Sequence, residues 1–466
     1  MSHSLLISHP PGCKEERNYA FEVIFGQFLG LSHECREIPG DVMRVQLANA
    51  PEAGSLLWPD IFFQKYCNKL ISTLLPSKPL SLWNVVRDLP EAKVTNSVIP
   101  IIYGKPLESG KWFEHKGNTI RLGLDITGSV FFMLTRFEEI VVPDRDKHGR
   151  FPAHASLAYQ EGFLERPIVD EYVEILWACM QRLWPGLRRK ERSYQVHLSH
   201  DVDHPLGAAD RPWRQVLRGI VYDLVKRKNL ELAYRRFMAK YSDDPDIDPF
   251  NTFDFIMDVS EQHRLKSAFY FKVASTNDQF DEDYALDSPW IQGLLQRIHE
   301  RSHEIGLHAS YEAYRDPLQI QSEFGTFLSV VEKLGIRQNR WGGRQHYLRF
   351  EAPTTWQAWE NVGLDYDATV GFADHVGFRC GTCHEYPVFN LKTRRILRLR
   401  ERPLIVMDTT LLNYMSLRPK QVLEKIERLS NICRRYGGTF SLLWHNTSLT
   451  QSWERQLYLE ILRVIT

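Results

Sequence analysis

The spacing of apolar and polar positions changes character near residue 190. Before that point, Asn18–Leu31 places Phe21, Ile24, Phe25, Phe28 and Leu31 on one face of a predicted helix, and Val130–Ile140 repeats the pattern. Short apolar runs at Met43–Leu47 and Ser97–Tyr103, bounded by Pro and Gly, predict strands. Ile168–Leu183 predicts a closing helix, the polar stretch Pro143–Pro152 an exposed loop, and Pro185–Arg192 a linker. The expectation for residues 1–190 is a smaller mixed α/β domain.

From Ser193 onward, short apolar strands alternate with amphipathic helices. Strands are predicted at Tyr194–Ser199, Ser267–Val273, Glu304–His308, Leu364–Ala368, Leu404–Asp408 and Thr439–Trp444. Helices are predicted at Thr252–His263, Pro289–Arg301, Leu318–Leu334, Thr354–Val362, Pro419–Tyr436 and Ser452–Val464. Such alternation points to a parallel sheet with helical crossovers. The expected fold over residues 191–466 is therefore an α/β, distorted parallel (β/α) barrel of about seven strands. Residues 206–250 interrupt it as a helical insertion. Within the insertion, Trp213–Lys228 is basic and amphipathic; a packed surface helix is expected, with contact to a membrane surface or an anionic ligand as the alternative.

Composition acts mainly by exclusion. The 466 residues carry 58 basic and 58 acidic side chains, which gives no bulk attraction to polyanions and no reason to expect a nucleic-acid partner. No apolar stretch is long enough to span a bilayer, and the first residues lack the basic and apolar regions of a signal peptide. Seven scattered cysteines (Cys13, Cys35, Cys67, Cys179, Cys380, Cys383 and Cys433) suggest reduced thiols and a cytoplasmic location. The string Cys380-Gly381-Thr382-Cys383-His384 matches a c-type haem attachment sequence. Without an export signal or a second cysteine pair, it is expected to be a loop over the barrel mouth. Its neighbours Phe372, Asp374, His375 and Arg379 would shape the pocket.

In parallel β/α folds the reactive groups lie beyond the carboxyl ends of the strands. The first strand ends in Asp201-Val202-Asp203, two carboxylates suited to a split role of metal ligand and base. Later strand ends carry His308, Arg344-Gln345-His346-Tyr347, and His445. Aspartate oxygen with histidine nitrogen is the donor set of a catalytic zinc or a similar divalent ion.

The order of these motifs resembles the polysaccharide deacetylase family, the NodB-type carbohydrate esterases, over roughly Ser193–Thr450. The matching segments are Asp201 and Asp203, HEIGLHAS at 303–310, Arg344–Tyr347, and Leu443–His445. The N-terminal part resembles the domain that precedes a divergent branch of that family, through NYAFEVIF, DITGSVFFMLTRFEE and HGRFPAHASLAYQEGFLERPIVDEY. The resemblance implies Asp201 as base, Asp203 and His308 as metal ligands, Arg344 as the residue orienting the base, a Tyr347 backbone amide at the oxyanion, and His445 as acid. Asp365 or Asp367 would orient Arg344 or His445, and Asp367 is counted with the catalytic set. The family's second metal histidine falls at Glu312, so either His346 or Glu312 supplies the third ligand, with His346 preferred. The implied activity is removal of an acetyl group, more readily N- than O-linked, from a sugar or glycan precursor. A decayed barrel that binds glycan without turnover is the alternative.

Overall fold

The computed structural model describes residues 4–67, 74–209, 211–281 and 284–466. The N-terminal part is built on a six-stranded mixed sheet in the order His33–Glu37, Leu5–His9, Val42–Leu47, Ser55–Pro59, Thr119–Leu122 and Phe113–Lys116. Leu5, Ile7, Met43, Val45 and Leu56 all lie in its core. The helix expected from Asn18 starts earlier, at Lys14, directly after Cys13 in a left-handed turn, and widens into π-helical turns over Glu22–Phe28. The apolar stretch expected as one helix from Val130 is two, Ile126–Leu134 and Phe137–Val141. Arg136 breaks it with φ 53°, turning its guanidinium back onto the Met133 carbonyl and forward onto Glu139. The run around Ser97–Tyr103 contributes Val98–Ile101, which among the described residues pairs with Ser81–Asn84 alone, in a separate two-stranded sheet.

The C-terminal sheet is parallel and curled, as a distorted β/α barrel would be, but its strand number differs from the expected seven or so. It has nine strands, ordered Tyr386–Asn390, Arg395–Glu401, Tyr366–Asp367, Gly342–Gln345, Glu304–Ala309, Ser267–Phe271, Gln195–Val202, Thr439–Leu443 and Val406–Met407. All neighbours run parallel except the Tyr386–Asn390 edge, which is antiparallel. The sheet curls without closing. The free edge of Arg395–Glu401, which closure would need, is taken by its own hairpin partner. That partner is in turn anchored to the N-terminal part, with Phe389 5.1 Å from the Tyr19 ring.

Two features bring the inner strands close enough to build a site. Ser267–Phe271 is buried along its whole length, as a parallel strand covered on both faces must be. Gly343 lies so near the next strand that a Cβ there would meet the Leu307 carbonyl oxygen at 1.9 Å. Any side chain at 343 would push apart the two strands that carry His308 and Arg344.

One hydrophobic cluster runs through both parts of the chain. Between them Glu139 is buried against Arg136 (2.8 Å) and Arg379 (2.6 Å). Burial opposes its charge, but Arg379 and then Arg136 outweigh it and hold the carboxyl down at about 2. This depressed group stabilises the fold fully above the ordinary glutamate range, and the contribution is lost as pH falls toward about 2. Glu139→Gln strands two buried guanidinium groups, so it should cost about 3–5 kcal/mol, read as a lowered thermal midpoint that narrows toward wild type in acid.

Two cysteine expectations change. Cys13 and Cys67 form a disulfide, which the scattered spacing did not suggest and which removes the thiol argument for a cytoplasmic location. The Cys380–His384 loop does not cover the barrel mouth. It is buried against the helix Ile168–Leu183, where Asp170 accepts from Thr382 Oγ1 (2.7 Å) and the Cys383 amide (2.9 Å). Arg379 is committed to Glu139, and none of Phe372, Asp374, His375 or Arg379 lines the cleft described below. No helix among the described residues is long and apolar enough to cross a membrane.

Candidate active site

A cleft of about 560 Å³ opens at the carboxyl ends of the parallel strands. The first strand explains its two carboxylates. Successive side chains of a strand alternate between faces, so Asp201 and Asp203 share the cleft while Val202 between them is fully buried in the core. The intervening residue therefore keeps both acids on one side.

Asp203 Oδ1 stands 3.1 Å from His308 Nε2 and 3.1 Å from His346 Nε2. The other nitrogen of each ring is already engaged: His308 Nδ1 faces the Arg344 carbonyl at 2.9 Å, and His346 Nδ1 faces Asp281 at 2.7 Å. Those acceptors call for a proton on Nδ1, which leaves both Nε2 atoms facing one carboxylate oxygen. Together they are three donor atoms of the kind that a divalent cation takes. The ligand atoms of Asp203, His308 and His346 lie within 4.8 Å of one another, and two nitrogens with one carboxylate fit a divalent metal ion. Burial opposes the charge on Asp203, but His346 and His308 hold its carboxyl well below the usual range.

Glu312, the rival third ligand, turns elsewhere. Its Oε2 lies 2.9 Å from Arg349 Nη1 and 3.7 Å from Arg315, and it does not line the cleft.

Asp201 is gripped separately. Arg344 Nη1 donates to Asp201 Oδ1 at 2.7 Å, its Nη2 donates to Ser199 Oγ at 3.0 Å, and its Nε donates to the Ala368 carbonyl at 2.8 Å. Arg344 is thus oriented by a backbone carbonyl. Asp367, expected to orient it or His445, hydrogen-bonds neither. Asp367 Oδ1 accepts from the Thr369 amide and hydroxyl, and burial pushes its carboxyl up to about 6 beside Glu401. Asp365 likewise accepts from the Trp341 amide.

His445 has a different carboxylate. Asp408 Oδ1 lies 2.7 Å from His445 Nδ1, and Asp408 Oδ2 accepts the His445 amide at 2.9 Å. Burial would lower this imidazole, but the Asp408 charge and hydrogen bond outweigh it and push it up to about 10. Its Nε2 points across the cleft, 3.6 Å from Asp203 Oδ2.

The turn after His346 is strained. Tyr347 and Leu348 adopt φ of 60° and 55°, rare for residues with side chains. Arg150 from the N-terminal part clamps the turn by donating to the Tyr347 carbonyl at 3.0 Å, and the His148 ring packs 4.7 Å from Tyr347. The stretch expected as an exposed loop is therefore partly wall: Lys147, His148 and Arg150 line the cleft, and the last two are buried. Lys272 also lines it, with its Nζ buried and lacking a partner among the described residues.

Sequence reasoning missed Asp281, Asp408, His148 and Arg150. Asp408 was within reach, since it ends a predicted strand as the chosen candidates do. Asp281 lies in an irregular stretch with no periodicity to mark it, and the other two come from the opposite half of the chain.

Residues 5–185 match the model of a family of unknown function (DUF7033). No curated protein matches the chain. Among solved structures, one from Mycobacterium smegmatis described as a polysaccharide deacetylase aligns at 13% identity and TM-score 0.39, covering 59% of this chain and 84% of its own. One from Pseudomonas aeruginosa PAO1, also described as a polysaccharide deacetylase, aligns at 11% identity and TM-score 0.38, covering 66% and 90%. Agd3, described as a carbohydrate deacetylase, aligns at 8% identity and TM-score 0.37, covering 100% and 84%. At such distances the chemistry rests on the side chains themselves.

Proposed function

We propose that the protein is a metal-dependent hydrolase that removes an acetyl group, N-linked in preference to O-linked, from a sugar or glycan precursor. The observation that carries this reading is the convergence of Asp203, His308 and His346 beside an Asp201 held by Arg344. Asp203, His308 and His346 would hold the ion, for which we propose zinc. When bound, such an ion acidifies a water and polarises an acyl oxygen.

The chain's own groups divide the remaining work. Asp201, kept ionised by its charge-assisted bond from Arg344, takes a proton from the attacking water. The strained Tyr347 turn presents its amide as a donor for the oxyanion of the tetrahedral intermediate. His445, held by Asp408, delivers a proton from Nε2 to the departing amine. Lys272 Nζ, without a protein acceptor among the described residues, donates to a substrate oxygen. What supports an enzyme over a decayed glycan binder is this retention of separately oriented base and acid, which binding alone does not require.

The test is metal analysis of the purified protein followed by an acetate-release screen over N-acetylated sugars. Chelation should bring acetate release to background, and added zinc should restore it. Release that persists after the metal has been stripped sinks the reading. We also propose that residues 1–190 are a domain, packed on the rest of the chain through the shared hydrophobic cluster, whose role includes walling the cleft. Limited proteolysis should then cut first within Pro185–Arg192 or at 243–249, and uniform resistance would argue for one indivisible core.

A further inference from the structure

The helical insertion is built inside out. Its two helices, Trp213–Val225 and Leu230–Ser242, bury a charged seam between them: Asp223 pairs with Arg236 at 2.7 Å, beside Gly219 and a small cluster of Ala208, Val216 and Ala239. The apolar stripes face outward. On the first helix Trp213, Leu217, Val221 and Leu224 recur at intervals that define one face, and all four are exposed. Leu230, Tyr234, Phe237 and Tyr241 do the same on the second. Trp213 and Phe237 meet at 6.0 Å, so the two stripes form one patch. The two helices carry ten of the eighteen exposed large apolar side chains among the described residues, which singles the hairpin out as a place that awaits an apolar surface.

We propose that this patch is an anchor for an anionic membrane surface. Two observations choose a bilayer over a second copy of the chain. Between Arg211 and Lys240 there are nine basic and two acidic residues in a protein of zero net charge, so two copies meeting here would set like charges against each other. The patch also mixes aliphatic residues with Trp213, Tyr222, Tyr234 and Tyr241, the amphipathic rings suited to the headgroup level. Each helix has only 13 residues, which lets it lie in the interface and not span. The hairpin leaves the sheet directly after His204, which lines the cleft, and returns at Phe250, whose carbonyl accepts from Asn446, the neighbour of His445. Binding there brings the cleft to the membrane. The inference stands whether or not the deacetylase reading holds.

The experiment is co-sedimentation of the full chain with vesicles of phosphatidylcholine alone or with added phosphatidylglycerol, together with sedimentation velocity over a concentration series. The expected result is binding to the anionic vesicles only, weakened by salt, with a monomer throughout. Leu217→Glu with Val221→Glu should weaken binding more than about tenfold, and Arg214→Gln with Arg218→Gln by about tenfold. Because these side chains are exposed, circular dichroism and metal content should not change. Equal binding to both vesicle types, binding to neither, or a concentration-dependent dimer lost in the Leu217→Glu, Val221→Glu variant would each overturn the proposal.

Discussion

Asp201→Asn should leave the bound ion in place while lowering acetate release by about two to four orders of magnitude, the range that a positioned general base contributes. Asp203→Asn should abolish both. The difference follows from the two environments. Asp201 is held by a guanidinium that will not leave, with Arg344 fixed in turn by Ser199 and the Ala368 carbonyl. An asparagine there keeps the shape and one hydrogen-bonding oxygen but takes up no proton at neutral pH. Asp203 faces two imidazole nitrogens at 3.1 Å, and its charge is what reconciles them with a cation. Metal content measured alongside turnover separates the cases. Substantial turnover in Asp201→Asn would remove it from the role of base, and retained metal in Asp203→Asn would dissolve the proposed ligand set.

How much of this was legible in the sequence follows from what each signal reports. Amphipathic spacing located the helices Thr354–Val362 and Pro419–Tyr436 to the residue, because one face of each packs on the sheet. Strands with long apolar runs were equally visible. Gly342–Gln345 was legible only as a strand end without a range, since two of its four residues are glycines, which allow close approach and add no apolar signal. Arg395–Glu401 was not predicted, its apolar positions being interrupted by Arg398 and Arg400. The strand-end rule singled out Asp201, Asp203, His308, Arg344, His346 and His445, which the structure brings to one cleft, apart from Arg344, which reaches it through Asp201. It failed for the groups that orient them. Asp365 and Asp367 were named and Asp408 was not considered, although it also ends a strand; only side-chain direction tells such residues apart. The basic, amphipathic character of Trp213–Lys228 was apparent, but which face is covered depends on the second helix, whose Arg236 draws Asp223 inward.

The third ligand gives the sharper test of the centre. His346→Ala should cost most of the metal, because it leaves one imidazole and one carboxylate where catalytic sites of this kind hold three protein ligands. Asp281→Asn should act more gently. Asp281 touches no other ligand of the set; it fixes the His346 ring by accepting at Nδ1, at 2.7 Å. Loss of such an outer partner weakens metal binding by about 10–100-fold, with Nε2 still present to coordinate. Glu312→Gln should leave metal affinity unchanged, since that carboxylate is spent on Arg349 and Arg315. Titration with zinc against a competing chelator ranks the three variants without recourse to activity. The expected order of affinity is wild type and Glu312→Gln together, then Asp281→Asn, then His346→Ala. If Glu312→Gln proves the weakest binder, the carboxylate and not the imidazole completes the centre, and the Asp281–His346 pair is only a brace beneath the strained Tyr347 turn.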